Sequence, residues 1–187
     1  MNDINKIVSF KDELLILVDE NDIEIGHVTK EICHNDSGML HRAFSIFIFN
    51  DKKELLLQRR SKDKRLWPMY WSNSCCSHPR KGESNEYATI RRLEEELGLK
   101  SDLIYLYKFQ YQAKFDDAGS ENELCSVYIG KSSDIPVVNE TEIAEWKYIS
   151  MDAVDAQLKK NPQEFTPWFK MEWQQIRNKY VDQILAL

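Results

Sequence analysis

The sequence predicts an α+β fold, α/β-layered, with one β-sheet held between helices. Strand-like runs are interleaved with two or three helical ones. No repeat or low-complexity linker divides the chain. At 187 residues, 42% hydrophobic and 30% charged, it has the size of one domain and can bury a core without disulfide staples. We read 1–187 as a single unit, with an N-terminal strand region over 1–29 and a C-terminal helix over 170–187.

Glu13 to Val18 reads as a strand, and Ile23 to Val28 as its partner across the Glu20-Asn21-Asp22 turn. Ala43 to Phe49, rich in β-branched and aromatic residues, reads as a strand buried on both faces. Asn50-Asp51 marks a turn into a returning strand over Glu54 to Arg59. Ser84 to Leu97 is the clearest helix: Ser84 as N-cap, Glu86 in the first turn, Gly98 just past the end, and Ala88, Ile90, Leu93 and Leu97 on its apolar face. Ile104 to Lys114, Glu123 to Ile129 and Glu145 to Ile149 are strand-like, and Asp152 to Lys160 and Pro167 to Leu185 are helical.

Lys plus Arg total 25 against 31 Asp plus Glu, a net charge of −6. That balance argues against nucleic-acid binding by phosphate neutralisation but leaves room for a local pocket for a small anion. No apolar run approaches the roughly 20 residues that cross a bilayer, and charges scattered over Lys6 to Glu13 do not make a secretory signal. Four cysteines, two of them adjacent, do not form a disulfide scaffold and point to a reducing, cytoplasmic setting. The expected partner is a small molecule rather than nucleic acid or membrane, and the expected state is a monomer.

His34 and His41 precede the strong Ala43–Phe49 strand, His78 lies in the turn-like run Asn73 to Pro79, and Glu121-Asn122-Glu123 opens a later strand. Imidazoles with carboxylates suit Zn²⁺ or Mn²⁺. Strand alternation places Glu121 and Glu123 on one face. The plain alternative is surface histidines and a solvated acidic turn, since no compact H-x-x-H or C-x-x-C spacing ties the set together. Cys76, two residues before His78, reads either as a small buried hydrophobe or as a thiol whose pKa a nearby cation would lower. Arg92 and Glu96, at i and i+4, read as an exposed salt bridge, or as a phosphate-binding Arg beside a carboxylate that holds Mg²⁺. Five cations between Arg59 and Arg65 make a solvated loop or an anion pocket, with Lys30 a further candidate. Trp67-Pro68-Met69-Tyr70-Trp71 and Thr166-Pro167-Trp168-Phe169 read as core, although an indole face also stabilises a cation.

Together these residues resemble the type I isopentenyl-diphosphate delta-isomerases, a family of the Nudix superfamily, over about Lys30 to Trp168. The most specific stretch is Trp67 to Pro79 followed by Gly82-Glu83-Ser84-Asn85-Glu86, with Glu121-Asn122-Glu123 and Cys125 as the second hallmark. The resemblance implies a Nudix-like mixed β-sheet sandwiched between helices. It implies a Zn²⁺ or Mn²⁺ site of His34, His41, His78, Glu121 and Glu123. It further implies Cys76 and Glu123 as catalytic groups, with Tyr111 as the hydroxyl partner of Glu123. Glu96 would hold the Mg²⁺ that travels with the diphosphate, Lys30, Arg60, Lys64 and Arg92 would bind the diphosphate, and Trp168 would cover a cationic intermediate. The implied reaction interconverts isopentenyl and dimethylallyl diphosphate in isoprenoid biosynthesis.

One departure from the Nudix helix pattern matters. Arg91, Glu95-Glu96 and Gly98-Leu99 stand in place and Glu83 fits the upstream acid, but Arg92 occupies the position of the first Glu and Ser77 that of the leading Gly. Losing that carboxylate argues against the alternative reading, a Nudix diphosphate hydrolase. It fits a site that grips phosphates without cleaving them. A domain whose metal site is merely structural is the third possibility.

Overall fold

The computed structural model describes residues 5–187; the first four residues of the N-terminal region lie outside the described residues. The expected N-terminal hairpin forms from β1 (Leu14–Val18) and β2 (Glu24–Thr29), with Leu15 opposite Val28. Asp19 Oδ1 accepts the N–H groups of Asn21 and Ile23, each at 2.9 Å, which closes the turn.

The centre of the nine-stranded sheet is β3 (His41–Phe49). One side of it pairs in parallel with β8 (Gly119–Lys131), in unbroken register from His41 opposite Glu123 to Phe49 opposite Lys131. Its other side pairs antiparallel with β6 (Cys75–Ser77). The flanking strands are β4 (Leu55–Arg60), β5 (Trp71–Ser72), β7 (Leu103–Phe115) and β9 (Ile143–Ile149).

Helices cover both faces, which explains why β3 reads as a continuous apolar run. Phe44, Ile46 and Ile48 pack towards α2 (Asn85–Leu97) with Ala88, Leu93 and Leu97. Ala43, Phe47 and Phe49 pack towards α4 (Pro167–Lys179) with Phe169, Trp173 and Ile176. Alternation along the strand sorts the two sets. The remaining helices are α1 (Lys30–Cys33), α3 (Met151–Lys160) and α5 (Val181–Ala186). Among the described residues, no helix is long and apolar enough to cross a membrane.

The caps of α2 are those expected. Ser84 Oγ accepts the Tyr87 N–H at 3.2 Å, and Gly98 takes φ 64°, the left-handed conformation that ends a helix cheaply only at glycine. Two expectations are corrected. Ile90 is 56% exposed rather than on the apolar face, because the buried face runs through Ala88, Thr89, Arg92, Leu93, Glu96 and Leu97. The C-terminal helix is not continuous from Pro167 to Leu185: it stops at Tyr180, whose φ of −128° is non-helical, and restarts as α5. Tyr180 stacks on Tyr107 of β7 at 5.3 Å, a tertiary contact that helical periodicity does not reveal.

Candidate active site and metal centre

Three neighbouring strands assemble the site. Register places His41, the first residue of β3, directly beside Glu123 of β8. Alternation puts Glu121 and Cys125 on the same face of β8 as Glu123. On the other side of β3, Ser45 lies opposite Cys76, and His78 follows at the end of β6. His34 caps α1, and its carbonyl accepts the Ser120 N–H at 3.0 Å, which ties α1 to the start of β8.

The histidines converge, with ring centroids 4.7 to 5.3 Å apart. His34 and His41 each commit Nδ1 to a backbone carbonyl at 2.7 Å, of Lys30 and Met39 respectively. His34 Nε2 lies 2.8 Å from Glu121 Oε2, but neither of these atoms, nor His41 Nε2 or His78 Nδ1, makes a well-formed hydrogen bond among the described residues. His34, His41, His78 and Glu121 each present a ligand atom, all within 4.8 Å of one another. Burial, then the neighbouring imidazoles, pushes His41 down to about 4 and His78 well below its usual value, so both stay neutral with free lone pairs. Four such buried ligand atoms, with the His34 and His41 rings fixed through Nδ1, are what a borderline divalent cation requires. The donor set fits such an ion.

Glu123 stands at the edge of this group. Its Oε1 lies 3.0 Å from His78 Nε2 and 3.9 Å from His41 Nε2, while Oε2 accepts the Tyr111 hydroxyl at 2.7 Å. Burial and the neighbouring Glu121 carboxylate push the Glu123 carboxyl well up. Glu121 goes the other way: burial alone would raise it, but His34 holds it at about 2. Two carboxylates on one strand face thus split into an anion and a proton carrier.

The adjacent cysteines separate by strand alternation. Cys75 is wholly buried among the residues facing α2, and Cys76 lines the cavity. The expectation that a nearby cation would make Cys76 a thiolate is corrected. Arg60 Nη1 does lie 3.8 Å from Cys76 Sγ, but burial dominates, Glu96, Glu123 and Glu172 oppose Arg60, and the thiol is pushed up to about 12. Cys76 is therefore a protonated thiol at neutral pH.

Arg60 is itself held in place. Its guanidinium donates to the carbonyls of Trp67 and Leu66 at 3.1 and 3.0 Å, and its Cζ stands 5.3 Å from the Trp168 ring centroid. Trp67 has φ 46°, a strained value for a bulky residue, which turns its carbonyl onto Arg60. Trp168, 3% exposed, donates Nε1–H to Ser72 Oγ at 3.0 Å and meets Trp67 edge-on at 5.2 Å.

Cys76, Glu121, Glu123, Tyr111, His34, His78 and Trp168 share one cavity of about 290 Å³ with Lys30, Arg60, Lys64 and Arg92. The structure thus brings most of the expected residues together. His41 is fully buried behind the cavity, and Glu96 does not line it. The Glu96 carboxylate instead takes two hydrogen bonds from Arg92, which sits inside the fold rather than on an exposed helix face. Of the basic run, Arg59 leaves the site altogether and pairs with Glu145 at 2.8 Å. Arg65 lines the rim, its guanidinium spent on Ala118 O, Glu31 O and Asn35.

Two acids escaped the sequence reading. Glu142 lines the cavity between Lys64 and Arg92, and Glu172 of α4 is fully buried behind it, its Oε1 3.6 Å from Cys125 Sγ. Glu142 stands in an ordinary polar loop with no motif. Glu172 lies one turn after Trp168, so its helical spacing was the available signal.

A NUDIX domain model matches residues 39–169. Isopentenyl-diphosphate Delta-isomerase 1 of Photorhabdus laumondii is 43% identical over 174 residues, covering 92% of this chain and 99% of that protein. The isopentenyl-diphosphate Delta-isomerase of Pectobacterium atrosepticum is 39% identical, over 87% of this chain and 90% of its own. Among solved structures, DR0079 from Deinococcus radiodurans superposes with a TM-score of 0.71 at 22% identity, covering 90% of this chain and 99% of that one. A MutT protein from Methanosarcina mazei gives 0.62 at 17% identity, over 76% and 96%. Both structural likenesses speak to the fold.

Proposed function

The chain belongs to the isopentenyl-diphosphate delta-isomerase family of NUDIX-domain proteins, and on that premise we propose that it interconverts isopentenyl and dimethylallyl diphosphate with Cys76 and Glu123 as the proton-transfer groups. The observation that carries the reading is one cavity lined both by the Cys76 thiol and the Glu123 carboxyl and by the cations Lys30, Arg60, Lys64 and Arg92.

The reaction adds a proton to the terminal alkene carbon and removes one from the carbon nearer the diphosphate. An alkene is a very weak base, and its protonated form is a tertiary carbocation. The site must therefore supply an acid, a base and exclusion of water. Cys76 and Glu123 are the two proton carriers on the cavity wall: one gives as the other takes, and the roles exchange in the reverse direction. Tyr111 fixes the Glu123 carboxyl through the 2.7 Å hydrogen bond and extends it as a relay. The Trp168 face, held by Ser72, stabilises the developing cation by about 2 kcal/mol when water is excluded. The basic side chains anchor the diphosphate, and that remote binding energy positions the reacting carbons.

His34, His41, His78, Glu121 and Glu123 would hold Zn²⁺ or Mn²⁺, and Glu96 would hold the Mg²⁺ that accompanies the diphosphate once its pairing with Arg92 loosens. Such ions supply positive charge that lowers the Glu123 pKa and neutralises phosphate oxygens. Four free cysteines support a reducing, cytoplasmic setting, and we take the working unit as a monomer.

Incubation with isopentenyl diphosphate and Mg²⁺, followed by NMR, tests the proposal. Dimethylallyl diphosphate is the expected product. Release of phosphate without isomerisation would favour a hydrolase instead.

A further inference from the structure

Glu142 is an acid placed in the seat proposed above for an anion. It is 3% exposed, and its Oε2 accepts from both Lys64 Nζ and, at 3.1 Å, Arg92 Nη2. Its backbone is fixed on both sides: its carbonyl accepts the Ser61 N–H at 2.9 Å, and its own N–H donates to Asn139 O at 3.0 Å. Asn139 in turn donates its side-chain N–H to Lys6 O at 2.7 Å. The carboxylate is therefore aimed at the two cations by a rigid turn leading into β9.

Cations gathered for a diphosphate repel one another when no diphosphate is bound. Lys30 shows this strain: burial lowers its pKa, and Lys64 and Arg92 lower it further, while Glu13 and Glu142 oppose them. Glu13 holds Lys30 from outside the cluster at 3.2 Å, and Glu96 takes Arg92 Nε and shares Arg92 Nη2 with Glu142. Among the described residues, only Glu142 pairs with both Lys64 and Arg92. A carboxylate there does for the empty pocket what phosphate oxygens do for the filled one.

We infer that Glu142 is the resident anion of the diphosphate seat: it holds Lys64 and Arg92 together before substrate arrives, yields them to the entering phosphate oxygens, and reclaims them as product leaves. This rests on the diphosphate reading above and adds a positioning residue to it. An ordinary structural salt bridge would make the opposite prediction for anion affinity, because losing it would only scatter the cations.

The test measures inorganic pyrophosphate binding with Mg²⁺ by calorimetry, alongside steady-state isomerisation, for the unaltered protein and for Glu142→Gln. Removing a competing negative charge is expected to tighten pyrophosphate binding about tenfold. Turnover should fall as release slows, so that kcat drops while KM drops with it. Equal or weaker pyrophosphate binding by a folded Glu142→Gln overturns the inference. Should that variant not fold, Glu142→Asp withdraws the carboxylate by one methylene and must also bind pyrophosphate more tightly; unchanged or weaker binding overturns the inference equally. If the unaltered protein binds no pyrophosphate, the diphosphate seat itself fails, and the inference fails with it.

Discussion

Glu172→Gln should stabilise this protein at alkaline pH and do much less at acid pH. Glu172 is fully buried, its Oε2 has no hydrogen-bond partner among the described residues, and Oε1 faces the weak Cys125 thiol. Burial raises the carboxyl from 4.5 to about 7, with Ser45 and Cys125 offsetting only part of the effect. The unfolded chain releases this proton near its ordinary value, whereas the folded chain keeps it until about 7. Between those values the unfolded state gains relative to the folded one, so the stability associated with the neutral acid is complete below 4.5 and lost as pH rises through 7. The displacement corresponds to about 3 kcal/mol above pH 7. Glutamine keeps the shape and cannot ionise, so it escapes that loss. Urea unfolding at pH 8 and pH 5 reads the effect as a shift in midpoint at unchanged slope. The expected gain is about 3 kcal/mol at pH 8 and under about 1 kcal/mol at pH 5. An equal gain at both pH values, or a loss at pH 8, would show that Glu172 has an unrecognised partner and refute the reasoning.

Cys76→Ala and Glu123→Gln should each lower turnover by about 10²- to 10⁴-fold or more while leaving the unfolding transition intact; near-normal isomerisation by either would remove that residue from the mechanism. Chelator-stripped protein should lose activity, and added Zn²⁺ or Mn²⁺ should raise its stability by about 2.7 kcal/mol at a hundredfold excess over Kd. His34→Ala and His41→Ala should abolish that rise, measured by thermal unfolding. Gly119→Ala should be destabilising by about 2 kcal/mol or more. Its φ is 137° and an added Cβ would stand 2.2 Å from the His34 carbonyl oxygen, so metal affinity should weaken along with the melting temperature.

The legible parts of this protein were those governed by local physics. The run from Ala43 to Phe49 announced a doubly covered strand because no solvent-facing position interrupts it, and both faces do meet helices. Ser84 and Gly98 bracketed α2 because an N-cap hydroxyl and a left-handed terminus are requirements of single positions. Residue type and position offered the three histidines, the two glutamates and Cys76 only as one of two readings, and the resemblance to the isomerase family was what implied their roles.

Tertiary structure alone decided the charge states and the pairings. Whether Cys76 is a thiolate depended on burial outweighing Arg60, and no local pattern measures burial against a cation sixteen positions away. Arg92 and Glu96 looked like an exposed i,i+4 pair until Glu142, fifty residues further on, joined them inside the fold. Desolvation and Coulomb forces depend on distance through space, which the chain acquires only when β9 folds back along β4 and α4 closes over the sheet. Local rules could therefore name the groups of this site, but only the folded chain could set which of them carry protons and which carry charge.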